Sequence, residues 1–410
     1  MAANEARVVA RDLQLLVSGN AVSALGNAVY LIAVTLLLKD LTQSPVVLGL
    51  FQFLALSPGF LLSPVTGALI DRVPRRALIV HADLWRGVVM IGAGAALAVP
   101  AWRTAWLILP VSLLAGVGHA LFVPAAQALL PSIVPAERLQ RATALRASSS
   151  QVSNLAGNAA GGFLYALLGA PILFVINGIS FLASALFERR IKASEPQGDA
   201  DHEPILPAAR AGLRHLTSDR RLLWMTVSQA GLFALSPFLM LALPFIVIDE
   251  LGLPEAAVGL YFAAALAGGV ALFVGVRPLK STRLLRVPLV RLGYVALGVA
   301  FLLAALVPGP VVIAVVALLA GAAAAGVYLS VTTWIQLQTP AQMHGRLFAL
   351  LEAGSAGVAP VSYLVAGGVL EGTGPGSRWI VFLGLSGLAF VWSFSGRKRR
   401  RGTTNAPKTI

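Results

Sequence analysis

The chain has 410 residues, of which 57% are apolar and 12% charged, and it contains no cysteine. A soluble protein carries about 25% charged residues and has no interior large enough for this much apolar surface, so soluble enzymes, disordered chains and collagen-like chains are excluded. The lack of cysteine rules out disulfides, thiolate metal sites and cysteine nucleophiles, while 31 Lys and Arg against 17 Asp and Glu give a net charge of +14.

A hydrocarbon core about 30 Å thick needs roughly 20 apolar residues per helix. The first such run, 13–38, is too long for a signal-peptide core and lacks a small-residue cleavage site, so it reads as a permanent span. Asn20, Ser23, Asn27 and Tyr30 recur along it at helical spacing. A second run, 44–70, ends in Gly67-Ala-Leu-Ile-Asp71-Arg72-Val-Pro74-Arg75-Arg76. The third, 77–99, holds Asp83 and Arg86 one turn apart at membrane depth. Ionisable groups there mark function, yet an (i, i+3) pair neutralises itself, and a structural ion pair is the preferred reading over a proton site. The fourth, 105–133, carries His119 and Gln127; an imidazole can titrate near neutral pH, but a lone histidine is more often a hydrogen-bonded structural group.

Spans five and six, 142–168 and 171–187, are separated only by Gly169-Ala170. Span five carries Arg146 and the group Gly157, Asn158, Gly161 and Gly162, whose small residues permit close helix approach and bending. The stretch 188–221 is the one long polar segment: a flexible linker, then a basic amphipathic helix from Ala208 to Arg221 on the membrane surface. Spans seven to ten are read at 222–248, with Ser228 and Gln229, then 255–276, 287–308, and 310–337 with Tyr328, Thr332 and Gln336. Span eleven, 346–370, contains Glu352 and the bend-prone Pro360, and span twelve is 378–395. After Arg346 no basic residue follows in span eleven. Glu352 is therefore an unpaired carboxylate fit to carry a proton, unless Arg146 at the equivalent depth of span five pairs with it. The tail Gly396-Arg397-Lys398-Arg399-Arg400-Arg401 reads as an anchor on anionic headgroups.

Alternate loops sort the basic residues into 26 on one side and three (Lys39, Arg103 and Arg378) on the other. The positive-inside rule places both termini in the cytoplasm, which requires an even number of crossings and fits twelve. The basic excess is thus a topology signal and no nucleic-acid partner is expected. Shifting the chain by 205 positions lays Pro135 on Pro340, Arg141 on Arg346, Ala144 on Ala349 and Leu145 on Leu350, an internal repeat. With the linker, it divides the chain into a six-helix bundle at 1–190, a linker at 191–221 and a second bundle with basic tail at 222–410. The expected fold is an all-α membrane protein of twelve transmembrane helices in two pseudo-symmetric bundles, a known transporter plan.

The segment Gly67 to Arg76 resembles the loop motif of the major facilitator superfamily, with Pro74 where that motif usually has glycine. Asp83-Leu-Trp-Arg86, Pro124-Ala-Ala-Gln127-Ala-Leu-Leu-Pro131 and Pro135-Ala-Glu137 narrow the resemblance to the branch that contains enterobactin exporters and macrolide efflux proteins. Where the antiporter motif of the fifth helix has a proline, this chain has Asn158. The resemblance implies a major facilitator fold, with Gly67, Asp71, Arg72, Arg75 and Arg76 as a conformational latch between the halves. It implies a cavity lined by helices one, four, seven and ten, which points to Asn20, Ser23, Asn27, Tyr30, His119, Gln127, Gln229, Tyr328, Thr332 and Gln336. Glu352, Asp83 and Arg86 are the proton-coupling candidates. Gly157, Asn158, Gly161, Gly162 and Pro360 are hinge or packing positions.

No Gly-rich loop ending in Gly-Lys-Ser/Thr is present, and no metal-ligand spacing or nucleophile with a base can be assembled. The expectation is a monomeric secondary transporter of the bacterial inner membrane, not an enzyme and without cofactor. It would export a small amphipathic, drug- or siderophore-like molecule in exchange for protons. An uptake permease for a sugar or metabolite and a non-transporting membrane assembly factor are the competing classes.

Overall fold

A chain dissolved in lipid must satisfy its backbone within each segment, and every described element is helical. The computed structural model describes residues 2–192, 214, 216–276, 287–307, 309–339, 341–374 and 378–395. Within these it leaves out the side chains of 2–6, 68, 71, 287–288, 337–338, 341–346, 348–349, 352–353 and 394–395. The side chains of Asp71, Arg346 and Glu352, together with Pro340 and the basic tail, therefore lie outside the described residues.

The first half contains α1 (Ala2–Thr42), α2 (Pro45–Leu61), α3 (Ser63–Arg72), α4 (Arg75–Ala98), α5 (Ala105–Ile133) and α6 (Ala136–Arg189). The second contains α7 (Arg220–Phe245), α8 (Glu255–Val276), α9 (Val287–Leu306), α10 (Pro310–Gln338), α11 (Ala341–Thr373) and α12 (Arg378–Ser395). A single π turn, Ile246–Glu250, extends α7. Ser44 caps α2, accepting from the Val47 amide at 3.3 Å, with Pro45 at the first helical position. Asp219 caps α7 through the amides of Arg221 and Leu222.

Two predicted spans differ from the observed elements in an instructive way. The second divides into α2 and α3 at Leu62, where Pro64 lacks the amide that would continue the ladder. The fifth and sixth run together as α6, 54 residues that would reach roughly 80 Å if straight. At Gly169 the backbone takes φ 72° and ψ 166°, a conformation that suits glycine, and Pro171 follows. This folds α6 into two limbs, each one crossing. With α2 and α3 counted as one crossing and α6 as two, the described helices cross twelve times. Eight of them are long and apolar enough to span by themselves. Of the predicted linker and surface helix, 193–213 and 215 lie outside the described residues, while 216–218 are helical.

Call the end where α1 begins and α12 finishes the terminal end, and the other the far end. Within the first half, α6 packs on α1 and α4, and α5 on α2 and α4. In the second, α10 packs on α8 and α9, α9 on α12, and α7 on α11. Two seams join the halves: α2 against α11, and the first limb of α6 against α8. Glycine permits both contacts. A side chain at Gly162 would lie 2.7 Å from the Glu255 carbonyl oxygen, and one at Gly367 2.6 Å from that of Pro45.

The apolar core is continuous between the halves, joining Leu36, Phe51 and Phe174 to Leu239, Phe245 and Phe301. A separate cluster toward the terminal end, with Leu16, Ile79, Phe122, Leu129 and Ile133, belongs to the first half alone.

Candidate functional site

Within the first half, where α2 meets α11, lies a cavity of about 240 Å³. Its apolar wall includes Leu31, Phe51, Met90 and Phe181, and its polar groups are Asn27 and Tyr30 from α1, Gln52 from α2, Arg86 from α4, and Ser112 and His119 from α5; Tyr363 of α11 completes it. A mostly apolar wall with a few convergent polar groups suits a small amphipathic guest. The Tyr30 ring stands edge-on to Phe174, centroids 4.9 Å apart at 84°, and its hydroxyl has no hydrogen-bond partner.

Three of the predicted cavity residues, Asn27, Tyr30 and His119, come together here with Arg86. The others lie elsewhere. Asn20 donates to Ser150 Oγ at 2.5 Å and Ser23 to the Asn20 carbonyl, tying α1 to α6. Gln127, Tyr328 and Gln336 are exposed. The Thr332 hydroxyl donates back to the Tyr328 carbonyl at 2.9 Å. Ser228 and Gln229 are buried inside the second bundle, where Trp392 Nε1 donates to Ser228 Oγ at 2.9 Å and the Tyr294 hydroxyl donates to the Ser228 carbonyl. Gln52 and Tyr363 escaped the sequence reading because helices two and eleven were not among those the resemblance assigned to the cavity.

The packing glycines divide between two neighbours. Gly157 and Gly161 abut Ala28 and Ile32 of α1, whereas Gly162 receives α8. Asn158 is buried on the same seam, its carbonyl close to Gly259. Pro360 lies inside α11 without ending it.

At the far end, charged groups pair with one another. Lys39, 2% exposed, donates from Nζ to Asp249 Oδ1 at 2.7 Å and to Gln43 Oε1 at 3.3 Å. Arg378 Nη1 donates to Glu250 Oε1 at 3.0 Å. The π turn sets these two acids side by side, and the Phe245 ring serves both cations, with Lys39 Nζ 5.4 Å and the Arg378 guanidinium carbon 4.9 Å from its centroid. Across the α2–α11 seam, Ser44 Oγ and the Val46 amide both donate to Glu371 Oε2. Tyr165 donates to Asp40 Oδ2 at 2.6 Å on the first-half side. None of these groups entered the site reading. Lys39 and Arg378 are two of the three basic residues on their side, and Asp249-Glu250 is an acidic pair ending an apolar run; that coincidence was the available signal.

At the terminal end, Arg75 Nη1 donates to the Ala128 carbonyl at 3.0 Å and to Ser132 Oγ at 3.4 Å, and Arg76 Nη1 donates to the Ile191 carbonyl at 2.6 Å. Arg72 is exposed, and a side chain at Gly67 would meet open space. These bonds fasten the loop to α5 and to the end of α6, within the first half.

Deeper in the first half, Asp83 and Arg86 are hydrogen-bonded to each other. The Arg86 guanidinium carbon stands 4.4 Å from the Phe122 centroid and 4.3 Å from that of Phe181.

Residues 10–375 match the family described as transmembrane secretion effector. The chain belongs to that family, within the major facilitator superfamily. Macrolide efflux protein A of Streptococcus pyogenes is 26% identical over 172 residues, 41% of this chain and 42% of the relative. Multidrug resistance protein MdtH of Salmonella typhimurium is 27% identical over 223 residues, 53% and 50% respectively. The chain thus spans about half or less of the length of the curated relatives it matches. Among solved structures, a variant of the nucleoside transporter NupG superposes with a TM-score of 0.75 at 13% identity, covering 94% of this chain and all of that one. A bacterial homologue of the iron transporter ferroportin, in an inward-facing state, gives 0.72 at 19%, covering 94% and 99%. At such identities the likeness is one of fold. The chain is a multi-pass membrane protein with the major facilitator fold.

Proposed function

We propose that this chain exports small amphipathic molecules by alternating access, driven by proton entry, as a monomer in the bacterial inner membrane. The first bundle is 1–190, the second 222–410, and the cytoplasmic linker is 191–221. Both termini face the cytoplasm, so the terminal end is inside and the far end outside. The observation that carries the reading is the mostly apolar cavity of about 240 Å³, together with the Lys39–Asp249 ion pair that, among the described residues, joins the halves at the far end. Opening the Lys39–Asp249 and Ser44–Glu371 bonds, which cross between the halves, while the terminal end closes would turn the cavity outward. The loop of Gly67 to Arg76, with Asp71, is the natural latch for that second state, since its arginines already grip α5 and the end of α6. Glu352 remains a candidate proton carrier on α11. The two efflux relatives favour export over uptake.

An efflux-deficient bacterial host expressing the chain should accumulate less ethidium and less erythromycin than the empty host. An uncoupler should erase the difference. Equal accumulation with and without the chain, at verified expression in the membrane, would overturn export. Orientation is tested separately: the chain has no native cysteine, so Arg72→Cys and Trp106→Cys place single thiols at opposite ends. A membrane-impermeant maleimide should label only the second in whole cells.

A further inference from the structure

The Asp83–Arg86 pair is not closed on itself. On the second limb of α6, Glu188 is 0% exposed, as is Asp83, and Arg86 is 5% exposed. Ser184 stands between the carboxylates, donating to Glu188 Oε1 at 3.2 Å and lying within hydrogen-bonding reach of Asp83. Glu188 feels the charge of both Asp83 and Arg86. Asp83 Oδ2, Glu188 Oε2 and Arg86 Nε are all buried without a hydrogen-bond partner.

Two carboxylates share one guanidinium. With all three groups ionised the cluster would carry a net charge of −1, and a buried unbalanced charge is far more costly than a neutral, hydrogen-bonded set. One proton restores neutrality and supplies the missing donor between the acids. Among the described residues Arg86 is the cation that acts on both carboxylates, and Arg76, near the end of α6, is engaged with the Ile191 carbonyl. From α5 comes His119, beside Arg86 rather than beside the acids. From α1 comes Gly19, against Ser184, and one helix end away Asp12, whose Oδ2 accepts from the Lys192 amide at 2.9 Å. The cluster also has an opening, because Arg86 lines the cavity of the first half.

We propose that Asp83 and Glu188, bridged by Ser184 and balanced by Arg86, form a site that holds one exchangeable proton and passes it to and from the cavity. The only bond made or broken is O–H on a carboxylate oxygen; the proton arrives from water in the cavity and returns to it. Its place in transport rests on the proton-driven reading above, whereas its proton count stands independently.

The count is read by infrared difference spectroscopy on the purified full-length chain, at a pH where surface carboxylates are ionised. The chain that is wild type at this cluster, with Glu352→Gln in every sample so that the α11 carboxyl contributes nothing, should show the carbonyl stretch of one protonated carboxyl. Glu188→Gln and Asp83→Asn should each abolish it, since one carboxylate and one guanidinium are already neutral. His119→Asn should leave it in place. Should Glu188→Gln fail to fold, Asp83→Asn reads the same quantity. Absence of the stretch in the chain with the intact cluster, or its persistence in whichever of the two variants folds, overturns the site. In everted vesicles, Glu188→Gln should retain downhill ethidium movement and lose accumulation against a gradient. If the wild type moves no ethidium while the stretch behaves as described, the export reading fails and the proton site stands.

Discussion

The two halves repeat one architectural plan but place their buried charge differently. In the first, Asp12, Lys39, Asp83, Arg86 and Glu188 are all withdrawn from the surface, three of them grouped beside the cavity. In the second, among residues whose side chains are described, Arg378 at the far end is the one buried charge. Its interior polarity is neutral: the Tyr294 hydroxyl, Trp392 Nε1 and Ser228 bond to one another around α7. The contrast teaches that a duplicated scaffold constrains helix number and seams, which depend on length and small residues. It leaves each half free to specialise its polar interior. The proposed Asp83–Glu188 proton site belongs to the first half, whereas the described interior of the second carries neutral hydrogen bonds and Arg378 alone as buried charge.

Three substitutions break or sharpen that contrast. Arg86→Leu leaves two buried carboxylates facing each other and should cost about 3–5 kcal/mol, the penalty for removing one partner of a buried charged set. Thermal unfolding in detergent should show it as the largest loss. Lys39→Met removes the cross-half closure, but Asp249 can turn to water, its side chain being 40% exposed. The cost should be smaller, about 1–3 kcal/mol. Its clearest mark should be faster labelling of a single cysteine placed at Asn27. Tyr294→Phe, inside the second half, deletes one neutral hydrogen bond and should cost about 1 kcal/mol. If it proves as damaging as Arg86→Leu, the division of labour is wrong.

Much of the fold was legible because lipid imposes a simple rule, one apolar helix per crossing. The turn at Gly169 was readable too: glycine tolerates the positive φ, and Pro171 blocks continuation. What escaped depends on contacts between segments distant in sequence. Glu188 lies at the end of an apolar run next to Arg189 and Arg190, where it reads as an ordinary helix-end charge; only the packing of α6 on α4 brings it to Asp83. Lys39 and Asp249 are 210 positions apart, and a hydropathy profile shows each as the polar edge of a span. Polar face spacing found Asn27 and Tyr30 but also selected Ser228 and Gln229, because periodicity reveals a face without revealing what that face meets.

Phe245 has a consequence for how the exterior opens. A single benzene ring lies beneath both the lysine and the arginine, so the two catches are not separate fasteners. When α1 swings away, the ring loses one cation and is free to re-orient, which weakens its hold on the other. Their energies should therefore fail to add when both are removed. Only the lysine spans the two halves; the arginine stays with the second, so release of the first is felt by a bond that need not open itself.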